Sequence, residues 1–406
     1  MKSLSLKHSV RNAIMIGGMC SISYLAVYLT RNILSAVSPQ LIESGVFSTE
    51  QIGSLSSLYF ITYAIGQLIN GAIGDKIKGK YMISAGLVFA GVCTLIFPMI
   101  AESSMAIYAA YAMTGYFLSM IYGPMTKVVA ENTEPIYATR CSLGYTFASF
   151  FGSPLAGVLA MAVAWQGVFI TSSLVLFFMG TMCFCTFHLL ERKGIVQFGK
   201  YKAEKSKGGN IRVLLKHRII KFTLVSIITG VVRTTVVFWL PTYLSQYLGY
   251  SSDRSALIYT IATFIISLTA FIAVFVYERL NRNLELTVLL AFSCATVFFA
   301  GVFLIKTPVV NVACLVAAIM SSNCAASMLW SRYCPSLRDT GMVSSATGFL
   351  DFVSYMAASI SSKIFANAVS VVGWKGLILV WFILMIVGVV VALPYKRKLV
   401  NPICSH

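Results

Sequence analysis

Apolar runs of about 20 residues or more recur along the whole chain, separated mostly by short polar turns. Each is long enough to cross about 30 Å of hydrocarbon as a helix. Twelve such runs are read, at about 12–38, 52–73, 81–100, 105–128, 138–163, 167–188, 218–246, 255–277, 286–305, 308–330, 343–368 and 372–394. An isolated strand in lipid leaves its backbone groups unpaired, so every run is expected to be helical. One interval is long and polar: ERKGIVQFGKYKAEKSKGGNIRVLLK, from Glu191 to Lys216, with a Gly208-Gly209 break. It reads as a cytoplasmic linker, either solvated or touching anionic headgroups. The expected fold is therefore an all-α membrane protein in two six-helix bundles, over 1–188 and 217–406, joined by a linker over 189–216.

Composition agrees with the pattern. Of the 406 residues 58% are hydrophobic and 11% charged, against about 25% charged in a soluble domain. The net charge of +18 raises the question of nucleic acid, but its placement answers it. Of the 31 Lys and Arg residues, Arg31, Arg233 and Lys363 lie within helices, and Arg254, Lys306 and Lys375 fall on one side. The rest gather in the termini and the loops of the other side, which the positive-inside rule makes cytoplasmic. Both termini are thus expected in the cytosol, with the basic excess read as a topology signal and nucleic acid excluded as a partner. The basic start before the first apolar run is read as the beginning of a transmembrane helix, since the run is too long for a signal peptide. Ten cysteines are scattered singly and no outside loop carries a spaced pair, so no disulfide, metal or cofactor is expected.

Two residues stand out against this background. Arg31 and Arg233 each lie deep in an apolar run, where a guanidinium costs roughly 2.5–3.5 kcal/mol. Residues this costly face a water-filled cavity and bind something negative. Tyr24, Tyr28 and Arg31 are spaced i, i+4 and i+7, so they share a helix face. The planar fork of arginine matches two oxygens of a phosphate or carboxylate and keeps its charge. Two forks, one per bundle, can grip one phosphoryl group from both sides.

Other candidates leave alternatives open. Asp351 fits a proton-coupling carboxylate, a partner for an arginine, or a residue near the cytoplasmic mouth. Lys363 either contacts substrate or reaches the outer interface. Tyr63 and Gln67, a turn apart on the second helix, either line the cavity or serve as interhelical glue, and the same holds for Asn323, Tyr259 and Tyr355. No histidine lies mid-helix and no phosphate-cradling glycine loop is present, which disfavours a histidine proton relay and ATP-driven transport by this chain. Nothing resembles a catalytic triad.

The turn GAIGDKIKGK (71–80), with Gly71, Asp75 and Lys76, resembles the loop signature of the major facilitator superfamily. YLAVYLTRNILSAVSPQL (24–41) and RTTVVFWLPTYL (233–244) resemble the first and seventh helices of the organophosphate:phosphate antiporters, the group of the bacterial glycerol-3-phosphate and hexose-6-phosphate transporters. That resemblance implies that Arg31 and Arg233 bind phosphate and that Tyr24 and Tyr28 assist. TGFLDFVSYMAAS and GWKG (373–376) are also similar, and place Tyr355 on a tyrosine of the family site. The departures are Asn32, where some members carry lysine, Gln67 in place of a lysine, no histidine near Phe147, and Gly230 in place of a tyrosine. They make the cavity less basic than the glycerol-3-phosphate pattern.

The expected function is a secondary transporter, not an enzyme. It exchanges an organic phosphate for inorganic phosphate across a bacterial inner membrane by alternating access, as a monomer. Two rivals stand beside it: a proton-coupled carboxylate symporter of the hexuronate kind, and a transporter-like membrane sensor of sugar phosphates.

Overall fold

The computed structural model describes residues 2–74, 77–101, 104–198, 215, 217–337 and 343–394. Helices α1 (Lys2–Glu43), α2 (Thr49–Gly74), α3 (Gly79–Ile96), α4 (Ser104–Leu118), α5 (Tyr122–Asn132), α6 (Pro135–Ala162) and α7 (Trp165–Arg192) form the first bundle. The second contains α8 (Ile219–Gly230), α9 (Val237–Gln246), α10 (Ser252–Ser267), α11 (Thr269–Arg279), α12 (Leu284–Leu304), α13 (Pro308–Met328) and α14 (Val343–Ala392). Within the bundles α1 packs on α6, α3 on α7, and α12 on α13. Between them α2 packs on α14 and α6 on α10.

The twelve apolar runs appear with three modifications. The fourth is interrupted at 119–121, which divides it into α4 and α5. The eighth bends at Leu268, between α10 and α11. The last two are continuous in α14, with a kink at Gly373 (φ 68°, ψ 177°). That conformation lies in the positive-φ region that glycine enters at little cost. Among the described residues nine helical stretches are long and apolar enough to cross a membrane, and the last of these, Ala346–Ala392, holds two crossings.

Three prolines lie inside helices, each removing the bond to the carbonyl four residues earlier. In lipid such a carbonyl needs another donor. The Ser38 hydroxyl donates to Ser35 O at 2.9 Å, answering Pro39. The Ser267 hydroxyl of α10 donates to Phe150 O at 2.9 Å, answering Pro154 from the opposite bundle. Near Pro241 the Ser35 hydroxyl of α1 donates across to Phe238 O at 2.6 Å. Two of these three bonds join the bundles, and at Pro154 the freed carbonyl is itself a docking point.

The remaining side-chain hydrogen bonds between the bundles that bear on closure share one end of the molecule. Ser38 and Thr242 hydroxyls meet at 2.7 Å, Gln246 Nε2 donates to Thr49 Oγ1 at 2.9 Å, and Ser359 Oγ donates to Ser57 O at 2.7 Å. These lie at mid-helix or toward the turns at 44–48, 247–251 and Gly373, so this end is closed.

At the opposite end of the first bundle, Glu191 closes α7 by pairing with Lys78 and Lys80 at the start of α3. The pairing with Glu191 raises the Lys78 ammonium above its ordinary range. Gly71 of the loop signature sits opposite Gly123, where an added Cβ would come within 3.9 Å of the Gly71 Cα. Asp75 and Lys76 lie outside the described residues.

Gly152 is where α6 reaches α1. A Cβ there would lie 2.4 Å from the Tyr28 Cβ and 2.5 Å from the Tyr28 carbonyl carbon. Backbone is the obstacle, so the clash is not relieved by a rotamer change. Gly152→Val is expected to destabilise the protein by about 3 kcal/mol or more, at the upper end of overpacking costs. A thermal shift in detergent checks this. A variant as stable as the parent would show that α6 and α1 do not touch here.

Candidate functional site

Arg31 belongs to α1, a helix held in place by the glycine contact just described. Its side chain is buried at 8% exposure, and no acid neutralises it. The ion pairs among the described residues are those of Glu191 with Lys78 and Lys80, and of Glu285 with Arg218 and Lys221. Four aromatic rings surround it instead. The guanidinium carbon lies 4.7 Å from the Tyr355 ring centroid, 5.3 Å from Tyr28, and 5.4 Å from both Phe60 and Tyr63. At about 0.5–2 kcal/mol for each such contact, the cage offsets the insertion cost of about 2.5–3.5 kcal/mol. Arg31 Nη1 also donates to the Tyr355 hydroxyl at 2.7 Å. A guanidinium carries five N–H donors, and this is the one bond it makes among the described residues, so donors are left for a ligand.

Arg233 is reached by a different local device. Between α8 and α9 the helix widens into a π turn, Val231–Val236, with Arg233 as its third residue. A π turn inserts one residue and is frequent at functional sites. Just before it, Gly230 lets Ser354 of α14 approach, since a Cβ there would lie 2.3 Å from the Ser354 Oγ and 2.8 Å from its carbonyl. The space a tyrosine would need at position 230 is thus filled by α14.

Arg31 and Arg233 line one cavity of about 180 Å³ between the bundles, with Tyr28, Asn32, Phe60 and Asn323 among its walls. The two guanidiniums, 202 positions apart in sequence, open onto the same space. Among the described residues no anionic side chain is in the lining.

The other candidates occupy distinct places. Tyr355 and Tyr63 belong to the cage and stack edge-on at 5.0 Å. Tyr24 stands behind Tyr28, with ring centroids 4.9 Å apart, and also packs on Tyr122. Asn323 lines the cavity, and its Oδ1 has no partner among the described residues. Asp351 is half-buried, feels the charge of Arg233 and of Arg31, and pairs with neither within 4 Å. Gln67 is half-buried on α2 and is not part of the lining. Tyr259 is fully buried.

Lys363 is exposed and shares its surface with Ile360 and Ile364, each more than half exposed, so it does not line the cavity. Its place on α14 turns it away from the packed side of the helix. Asn32, where a second cation was an option, spends its amide on Tyr28 O at 2.6 Å.

Several lining residues escaped sequence reasoning: Ser149, Ser153, Thr263, Ser267 and Ser327. Hydroxyls are common in membrane helices as packing residues, so singly they carry no signal. Their one usable mark is spacing, for together with Asn323 they come as three pairs four residues apart.

Comparison with known proteins agrees with this architecture. A bacterial homolog of the human lysosomal transporter Spinster, in an inward-facing conformation, superposes with a TM-score of 0.77 at 12% identity, covering 94% of this chain and 96% of that one. A D-xylose-proton symporter gives 0.70 at 14% identity, over 93% and 96%. In sequence, the membrane sensor protein UhpC of Salmonella typhimurium is 21% identical over 92% of this chain and 89% of its own. The hexuronate transporter of Bacillus subtilis is 23% identical over 82% of each, and the glycerol-3-phosphate transporter of the same organism 24% over 58% of each. The Major Facilitator Superfamily profile matches residues 20–362. This is a membrane transport fold rather than an enzyme, and the chain belongs to the Major Facilitator Superfamily.

Proposed function

We propose that the protein carries an organic phosphate across a bacterial inner membrane in exchange for inorganic phosphate. The observation that supports this most is the pair of guanidiniums, from opposite bundles, lining one cavity whose described lining residues include no carboxylate. Two planar forks suit the oxygens of one phosphoryl group. In this reading Arg31 and Arg233 hold the phosphoryl group, Tyr24, Tyr28, Tyr63 and Tyr355 keep Arg31 in place, and Asn323 shapes the remainder, with Gln67 and Asp351 outside the lining.

With the basic loops and both termini in the cytosol, the closed end faces outward and the cavity is reached from the cytoplasm. Residues 1–188 and 217–406 then rock about the shared ligand, with 189–216 as a tether. A single copy suffices, since one chain supplies both arginines.

Relatives named as transporters of glycerol 3-phosphate and of phosphoglycerate add weight to a phosphate ester. Two further readings have an observation each: the sensor UhpC aligns over 92% of the chain, and the hexuronate transporter over 82%.

One experiment separates the three. Vesicles containing the protein are loaded with labelled phosphate, and glucose 6-phosphate, glycerol 3-phosphate or a hexuronate is offered outside. Efflux driven by phosphate esters alone is the expected result. Uptake of hexuronate driven by a pH gradient, with no phosphate efflux, would overturn the proposal. Binding of glucose 6-phosphate without any flux would convert the assignment to a sensor.

A further inference from the structure

Besides Arg31 and Arg233, three helices each present to the cavity a pair of small neutral polar residues four positions apart: Ser149 and Ser153 on α6, Thr263 and Ser267 on α10, Asn323 and Ser327 on α13. Residues spaced by four share a helix face, so each pair points as a unit, and none of the six carries a charge.

Their hydrogen-bond polarity is fixed in part by the backbone. Thr263 Oγ1 donates to Tyr259 O at 2.7 Å, and Ser267 Oγ donates to Thr263 O at 2.7 Å and to Phe150 O at 2.9 Å. A hydroxyl has one proton and two lone pairs. With the proton directed at a carbonyl, what these two oxygens offer a ligand is lone pairs. Asn323 adds an amide that is nine-tenths buried, at 9% exposure, and whose Oδ1 has no partner among the described residues. A buried acceptor left unpaired is costly.

The arginines therefore offer donors, while Thr263, Ser267 and the Asn323 Oδ1 offer acceptors. A phosphoryl oxygen or a carboxylate, which can only accept, is matched by the arginines and mismatched by Thr263, Ser267 and the Asn323 Oδ1. A substrate hydroxyl, which can donate, is matched there. Among the described residues no Lys or Arg other than Arg31 and Arg233 lines the cavity to receive a second negative group.

We propose that the α6, α10 and α13 pairs form a specificity-determining subsite for a neutral, polyhydroxylated carbon skeleton. The site thereby selects sugar-like phosphate monoesters over phosphate esters that carry a second anionic group. This deepens the preceding proposal and rests on its assignment of the arginines to the phosphoryl group.

The test uses the full chain in phosphate-loaded vesicles. Glucose 6-phosphate, hexyl phosphate and 3-phosphoglycerate compete for labelled phosphate exchange. Hexyl phosphate and 3-phosphoglycerate are each expected to bind about tenfold more weakly than glucose 6-phosphate, the size of one net hydrogen bond. In Thr263→Val and Asn323→Leu, the half-saturation constant for glucose 6-phosphate divided by that for inorganic phosphate is expected to rise about tenfold on the same basis.

Equal competition by 3-phosphoglycerate and glucose 6-phosphate overturns the proposal. So does a ratio unmoved in variants whose two constants weaken together. If the variants do not fold, the competition series on the unmodified protein decides alone. Absence of any phosphate exchange by the unmodified protein strikes instead at the arginine assignment, and this subsite falls with it.

Discussion

Replacement of Arg31 or Arg233 by lysine is expected to weaken phosphate exchange by about 30- to 150-fold each, the equivalent of about 2–3 kcal/mol for charge-assisted hydrogen bonds lost from a fork. Lysine keeps the charge, so general attraction of an anion survives. What it loses is planarity and the second donor. At Arg31 the loss is compounded by the cage: four rings at 4.7–5.4 Å surround a flat guanidinium that also holds the Tyr355 hydroxyl. A smaller, more strongly hydrated ammonium neither fills that space nor reaches past it. At Arg233 the π turn brings the backbone to the cavity wall, and a point charge from the same position cannot align two donors. Folding is expected to be little changed, because the charge stays the same. Phosphate exchange in vesicles and the elution profile in detergent check the two halves of the prediction together. Near-normal exchange in both variants would show that the guanidiniums do not hold the anion.

How much of this was legible in the sequence follows from what stands out in one dimension. A charge within 20 apolar residues is conspicuous, so Arg31 and Arg233 were visible, and both line the same cavity. The tyrosines three and seven positions before Arg31 were visible for the same reason: helix periodicity fixes the face. The twelve runs were visible because hydrocarbon imposes length. The breaks were not. The interruption at 119–121, the bend at Leu268 and the π turns at Val231–Val236 and Leu329–Tyr333 leave hydropathy unchanged.

Nor did the sequence mark which serines matter. Ser35 and Ser267 have ordinary neighbours, and their role appears only when a backbone carbonyl of the other bundle arrives opposite, for Ser267 one that Pro154 frees. Such pairings belong to one arrangement of the bundles, and a linear pattern holds no record of an arrangement. Lys363 was as conspicuous a charge, and the linear pattern left open whether it meets substrate or the outer interface; on α14 it is exposed and outside the cavity lining.

The closed end gives the second large expectation. Ser38 and Thr242 come from α1 and α9, in opposite bundles, and their hydroxyl oxygens are 2.7 Å apart. A disulfide needs sulfurs at about 2.05 Å, so cysteines at these two positions have little distance to close. In the double variant Ser38→Cys, Thr242→Cys, oxidation is expected to cut transport at least about tenfold, because alternating access requires this end to open. Reduction is expected to restore it. The single variants, oxidised alongside, supply the reference rate and account for the native cysteines. Binding of glucose 6-phosphate from the open side should survive the cross-link while flux does not, since the arginine cavity lies on the other side of the closed contacts. That combination separates a locked carrier from a damaged one. Full flux through a protein whose cross-link is verified by mass would mean that the bundles do not part here, and the rocking mechanism would fall. Because Ser35 donates to Phe238 O within a turn of the same contact, the lock tests the docking of the bundles as well as the gate itself.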